Sequence, residues 1–328
     1  MNRKIRRVLV AIRDLDRVPP SQLRKAAAVA RAAGAHIELF HVNGEPLIPE
    51  GMRRRLRRRG VGMSVAQIIE KSREQLERLG RSQVFAGLKV ETHMAHDYPP
   101  HEAIVRRVQA TRADLVVAAT SKHSLAGRLF LLNTDWELIR CCPCPILFVK
   151  SRGDYERPKV LAAIDPFHEH AKPASLERLL LGSATQLARL LRGQAHAFHA
   201  YLPLVVRMLV PTEEGPVWVP PGAEEANGRQ VAGAFNRLAR RASIARGRRH
   251  LECGDVPSRL SSTVKAVGAD IVVMGAVSRS GLKRLFVGST AERVIDELHC
   301  DVLIVKPAGF KAARSQVRPP SISAVMHL

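Results

Sequence analysis

The chain repeats itself at long range. "KIRRVLVAIRD" from Lys4 is echoed by "RPKVLAAIDP" from Arg157, and "ADLVVAATSKHS" at 113–124 by "ADIVVMGAVSRS" at 269–280. "CPILFVK", ending at Lys150, returns as "CDVLIVK", ending at Lys306. Three echoes in one order mean that the two halves share a fold, so the 328 residues form two domains of ordinary size. The polar stretch "SRGDYERP", Ser151 to Pro158, is the boundary. The expected domains are 1–150 and 157–308, followed by an aperiodic tail, 309–328.

Within each half, short β-branched runs alternate with helical patterns. Strands are expected near 6–12, 36–42, 87–94, 114–119 and 145–150, then near 159–164, 195–201, 248–253, 270–275 and 302–306. Helices are expected near 20–33, 64–79, 100–112 and 133–141, then near 173–192, 223–246, 257–268 and 289–299. "DLVVAA" and "DIVVMG" are apolar without alternation, which suits strands covered on both faces. Strand–helix alternation implies parallel βαβ units, hence two tandem doubly wound α/β domains of Rossmann-like type. Ligands of such sheets bind outside the carboxyl ends of the strands, where the strand order reverses.

Charge constrains the partners less than its size suggests. The formal net charge is +22, carried largely by scattered arginines and one knot, "RRRLRRR", Arg53 to Arg59. Such a balance can attract RNA, DNA, acidic lipid or nucleotide phosphate, but solvated helix faces and one basic loop are the expected explanation. Aromatic residues are 4% of the chain, and none interleaves with the knot, so no stacking platform for single strands is indicated. Nucleic acid is therefore not among the expected partners. No signal peptide and no apolar span of about 18 residues is present, so a soluble, cytoplasmic protein without a transmembrane segment is expected.

The stretch after the second half's fourth strand, "GAVSRSGLKRLFVGST", carries the chemistry. Gly275 lets the backbone leave the strand sharply. Gly288 with Ser289 and Thr290 opens a helix whose free amides favour an anion. Ser289 with Glu292 also forms a capping box, so an ordinary helix start explains part of this pattern. Arg279, Lys283 and Arg284 either neutralise a polyphosphate or stand in solvent.

The repeat, this loop and "GSTAERVIDELHCDVLIVKP" resemble the universal stress protein family, in its tandem-domain form, over nearly the whole chain outside the tail. The resemblance implies an adenine nucleotide alpha hydrolase-like fold, with the halves forming an intramolecular pseudo-dimer as a monomer or within a homodimer. It also implies a non-enzymatic stress-response role, with ATP, with or without Mg, as ligand. Nucleotide-binding members carry G-x2-G-x9-G-[ST] and an Asp after the first strand. Asp165 matches that acid, Gly275 the first glycine, Gly288 the third and Ser289 the hydroxyl. Ser278 stands where the second glycine belongs, with Gly281 three residues on. The implied nucleotide set is thus Asp165, Gly275, Ser278, Arg279, Gly281, Gly288, Ser289 and Thr290. In the first half Arg13 replaces the acid, and Ala119, Lys122 and Leu132 replace the glycines ahead of Asn133 and Thr134. That half reads as a structural partner.

Other patterns are weaker. Cys141-x-x-Cys144 has the spacing of a redox pair but follows a helix rather than a strand, so packing at the head of a strand is the expectation. His93/His96, His168/His170 and His196/His199 lack the company a metal site needs. No nucleophile elbow, Walker loop or kinase signature occurs. The apolar, proline-rich segment 202–222 leaves a second class open: a scaffold or carrier for an apolar or acidic ligand or a partner protein.

Overall fold

Apolar runs become parallel strands, and the amphipathic stretches between them become their crossover helices. The computed structural model describes residues 4–44, 65–120, 134–167, 176–204, 220–276, 295 and 297–307. They form two units, Ile5–Ile146 and Leu147–Phe310.

In the first unit β1 (Arg7–Ile12), α1 (Pro20–Ala33), β2 (His36–Asn43), α2 (Val65–Gly80) and β3 (Val90–His96) follow in turn. Then come α3 (Pro100–Thr111), β4 (Leu115–Ala119) and helical residues 134–141, labelled α4; β5 (Ile146–Val149) begins at the last residue of this unit and runs into the next. The strand order is β3-β2-β1-β4, every pair parallel, with Arg7 opposite His36 and Val8 opposite Leu115. Val8, Leu9, Val10, Val116 and Val117 are fully buried, as expected of central strands sheathed on both faces. The order reverses at β1, so a crevice opens at the carboxyl ends of β1 and β4. There the buried Gln22 side chain of α1 donates to Ala11 O at 2.9 Å and Val117 O at 3.3 Å, bridging the two strand ends.

The second unit repeats this plan with β6 (Lys159–Ala163), α5 (Leu176–Leu190), β7 (Gln194–Tyr201) and α6 (Ala223–Arg241). β8 (Arg249–Cys253), α7 (Val256–Val267), β9 (Ile271–Gly275) and β10 (Asp301–Val305) complete it. The order β10-β9-β6-β7-β8 is again parallel throughout and reverses at β6.

The repeat reaches individual hydrogen bonds. Asp114 Oδ2 accepts from Arg6 N and Arg7 N at 2.8 and 3.1 Å. Asp270 Oδ2 accepts from Lys159 N at 2.8 Å. The shared Ala-Asp dipeptide thus ties the amino end of each fourth strand to that of the first. His41 Nδ1 donates to Ile12 O at 2.9 Å, and His199 Nδ1 to Ile164 O at 3.0 Å. His199 is thus a buried histidine anchored through Nδ1, and His93 stacks on Phe40 with ring centroids 5.7 Å apart.

Two elements depart from expectation. The helix expected over 223–246 ends at Arg241. Ser243 turns left-handed with φ 56, its N–H reaching Arg240 O while Ile244 N returns to Ala239 O, and a 3-10 turn follows at Arg246–Arg248. The third strand starts at Val90 rather than near 87, because a 3-10 turn at Gln83–Phe85 and a left-handed Gly87 (φ 76) occupy its approach. Of the helix expected over 289–299, Ile295 and Glu297 are seen helical and most of the rest lies outside the described residues. The arginine knot, His168 and His170, most of segment 202–222 and the tail also lie outside them.

Candidate functional site

In the second unit the switch point gathers two expected residues. Asp165 lies two residues beyond the end of β6, and its Oδ1 accepts from Phe167 N at 3.2 Å, closing a turn off the strand end. Gly275 is the last residue of β9, the strand beside β6. Both stand at carboxyl ends of adjacent parallel strands, where the order reverses. Gly275 has a second duty that sequence reasoning missed. A Cβ there would lie 2.9 Å from Leu176 Cδ2, the fully buried first residue of α5. The absent side chain leaves room for the start of that helix. Ser278, Arg279, Gly281, Gly288, Ser289 and Thr290, with Lys283 and Arg284, lie outside the described residues.

The first unit has a formed cavity at the same switch point, with a volume of about 560 Å³. Its lining runs from Ala11 and Ile12 at the end of β1, through Phe40 on β2 and Ala118 on β4, to Ile104 on α3 and Leu138 on α4. Tyr98, half exposed, stands at the rim with Pro99 and Pro100. Gly44 keeps the wall thin, since a Cβ there would meet Pro100 Cγ at 2.4 Å. Ala119 and Thr134, two of the residues aligned with a nucleotide loop, also line it, whereas Lys122, Leu132 and Asn133 lie outside the described residues.

Arg13, at the position of the family's acid, reaches into this cavity and donates through Nη2 to Asp135 Oδ1 at 2.5 Å. Burial raises the Asp135 pKa to about 6, with the Arg13 charge and hydrogen bond pulling the other way. Desolvation outweighs attraction there because the carboxylate is 14% exposed in a mostly apolar wall. His41 and His101 also line the cavity, and burial lowers the pKa of each, which favours neutral rings. Glu137 is paired with Arg140 at 2.8 Å. Neither Asp135, Tyr98, His41 nor His101 carries a motif. Only the substitution at Arg13, a base where the family keeps an acid, marked this place in the sequence.

Other chemistry-bearing groups are structural. Cys142 and Cys144 meet, with sulfurs 3.7 Å apart. The cause is geometric: α4 ends at Cys141, whose thiol turns to Glu137, while Cys142 and Cys144 are buried ahead of β5. No disulfide is formed among the described residues, and no group of three His, Cys, Asp or Glu among them is placed to hold a metal ion. His196 Nδ1 and His250 Nε2 share a hydrogen bond of 3.0 Å between β7 and β8. Among the described residues no helix is long and apolar enough to cross a membrane.

Comparison with known proteins agrees with this architecture. The model of the universal stress protein family matches residues 4–150 and 157–306. Universal stress protein E of Salmonella typhi is 28% identical over 296 residues, covering 88% of this chain and 90% of that protein. Its namesake from Escherichia coli (strain K12) is 30% identical over 227 residues, covering 69% and 71%. Among solved structures, a universal stress protein from Archaeoglobus fulgidus superposes with a TM-score of 0.61 at 15% identity, over 91% of this chain and 98% of that one. A protein of unknown function from Pseudomonas aeruginosa PAO1 gives 0.66 at 23% identity, over 92% and 93%. Likeness at such identity speaks for the fold alone. Two matched domains, one in each repeat, decide the matter: the chain belongs to the universal stress protein family.

Proposed function

We propose that this chain is a cytoplasmic, non-enzymatic stress-response protein whose second half holds one adenine nucleotide. The observation carrying the reading is the pairing of Asp165 and Gly275 at the carboxyl ends of β6 and β9, where doubly wound sheets bind ligands. Asp165 would accept hydrogen bonds from the nucleoside. The phosphates would run toward the amides at Gly288 and Ser289, as helix N-termini favour. Ser278, Arg279, Gly281 and Thr290 complete the set, with Mg, where present, held chiefly by the phosphates.

Calorimetric titration of the whole chain with ATP, with and without Mg, tests the reading. One ATP per chain is expected, with binding lost in Gly288→Val and weakened in Asp165→Ala. Absence of heat at high protein concentration would remove the nucleotide claim.

A further inference from the structure

The first half departs from the nucleotide pattern by more than loss. An acid position has become Arg13, a glycine position has become Ala119, and a cavity of about 560 Å³ persists beside them. Its lining is mainly aliphatic and aromatic: Ile12, Phe40, Val42, Ile104 and Leu138 supply large side chains, and Tyr98 stands at the mouth. A volume of this size suits a small organic molecule. The polarity at the strand end is inverted, so the ligand must present negative charge there and not the hydroxyls of a ribose.

The protein displays the template for that charge. Arg13 already holds a carboxylate, that of Asp135, through a short hydrogen bond in the cavity wall. A guanidinium presents a planar fork that matches a carboxylate. Among the described residues the remaining charges do not provide for a polyanion. Arg140 is committed to Glu137, Arg106 to Asp97 and Glu102, and His41 and His101 favour the neutral form.

We propose that the first-half cavity binds a compact apolar monocarboxylate, whose carboxylate takes Arg13 in place of Asp135. Asp135 acts as an internal stand-in for the ligand, occupying the cation while the cavity is empty. On exchange the ligand's anion pairs with Arg13, and Asp135, separated from its cation in an apolar wall, takes a proton from solvent. The cavity's charge balance is then unchanged, and binding consumes one proton. Among the described residues, the charged and titratable groups lining the cavity are Arg13 after β1, His41 on β2, Tyr98 and His101 around the start of α3, and Asp135 and Glu137 on α4. Asp14, Asp97, Glu102, Arg106 and Arg140 act on these from outside the lining. Of these, Asp135 has a pKa raised to about 6, the value suited to proton uptake near neutrality.

The probe is 2-naphthoate, with uncharged 2-naphthamide as its isostere, in equilibrium dialysis against the full chain. At about pH 7 the acid should bind at least about tenfold more tightly than the amide, a usual margin for a charge-assisted pair. Its affinity should rise at about pH 5.5, where an ordinary carboxylate is still ionised. Both comparisons use the unaltered protein, so they stand even where a variant fails to fold. Arg13→Gln should lower naphthoate to the level of the amide and leave the amide unchanged. Asp135→Asn should strengthen naphthoate at neutral pH and remove the gain on acidification. Equal affinities of acid and amide, or naphthoate binding indifferent to Arg13→Gln, would overturn the proposal. Competitive displacement of naphthoate by ATP would overturn the ligand class. Gly288→Val, which tests the nucleotide reading in the other half, should leave naphthoate binding intact, so the two can fail separately.

Discussion

Gly275 and Leu176 occupy each other's space: a Cβ on the glycine would stand 2.9 Å from the leucine's Cδ2. The glycine that a family pattern assigns to a phosphate turn is therefore also the floor on which α5 begins. Gly275→Ala should destabilise the second half by about 1–3 kcal/mol through overpacking. Leu176→Ala alone should cost about 2–5 kcal/mol for its lost burial and cavity. Together they should cost less than their sum, because each relieves the other. Urea denaturation of the two singles and the double measures this coupling, and strict additivity would show that the contact is not felt.

A second prediction concerns Asp301, fully buried at the head of β10. Its Oδ1 accepts from Lys150 N at 2.9 Å and Ser151 N at 2.8 Å, and its Oδ2 from Tyr155 OH at 2.6 Å. Burial, and then the Asp301 charge, hold the Tyr155 phenol well above its ordinary pKa, so it stays a donor. Asp301→Ala strands three donors and should cost about 3 kcal/mol or more, whereas Tyr155→Phe removes one and should cost about 1–2 kcal/mol. Thermal unfolding of both variants checks the ranking. A Tyr155→Phe loss equal to that of Asp301→Ala would mean that the two backbone contacts contribute nothing.

Much of this architecture was legible because it rests on local rules. Pro20 at a helix start and Gly34 beyond its end bound α1 where the pattern places it. Continuous apolar runs give β4 and β9 within a residue of expectation. Legibility ends where one residue's conformation is set by tertiary return: Ser243 looks helical in sequence, yet Ile244 must fold back to Ala239. The site was legible in part, and for a stated reason. Asp165 and Gly275 are named by the family resemblance, but Asp135 meets Arg13 across 122 positions of chain. No periodicity carries that information, and only the charge reversal at Arg13 hinted at it.

Asp135 also yields a stability prediction independent of any ligand. Its pKa of about 6 in the fold exceeds its ordinary 3.8. Between those values the folded chain holds a proton that the unfolded chain has released. The first half should therefore lose stability as pH rises from about 4 to about 6, by about 3 kcal/mol, and change little above that. Asp135→Asn, which mimics the protonated side chain, should be more stable than the parent at neutral pH and nearly equal to it at acid pH. Guanidinium denaturation at both pH values reads this directly. A variant destabilised at neutral pH would show the ionised pair to be favourable after all.

His196 carries the opposite sign. Burial, then the neighbouring His250, Arg248 and Lys159 charges, lower its pKa to about 4 from 6.5. Here the unfolded chain binds the extra proton, so the contribution is complete above about pH 6.5 and is lost as pH falls toward 4, again by about 3 kcal/mol. The ring is 7% exposed and bonded to His250, so solvent screens it little. Acidification should thus strengthen the first half through Asp135 while weakening the second through His196. In the parent chain these contributions oppose each other and flatten the overall pH response. Each variant should unmask the other: Asp135→Asn leaves a protein more sensitive to acid, and His196→Gln one that loses stability toward neutral pH. Scanning calorimetry of the parent and both variants at about pH 4.5 and about pH 7 separates the two. Identical pH responses in all three proteins would mean that neither residue titrates differently in the fold.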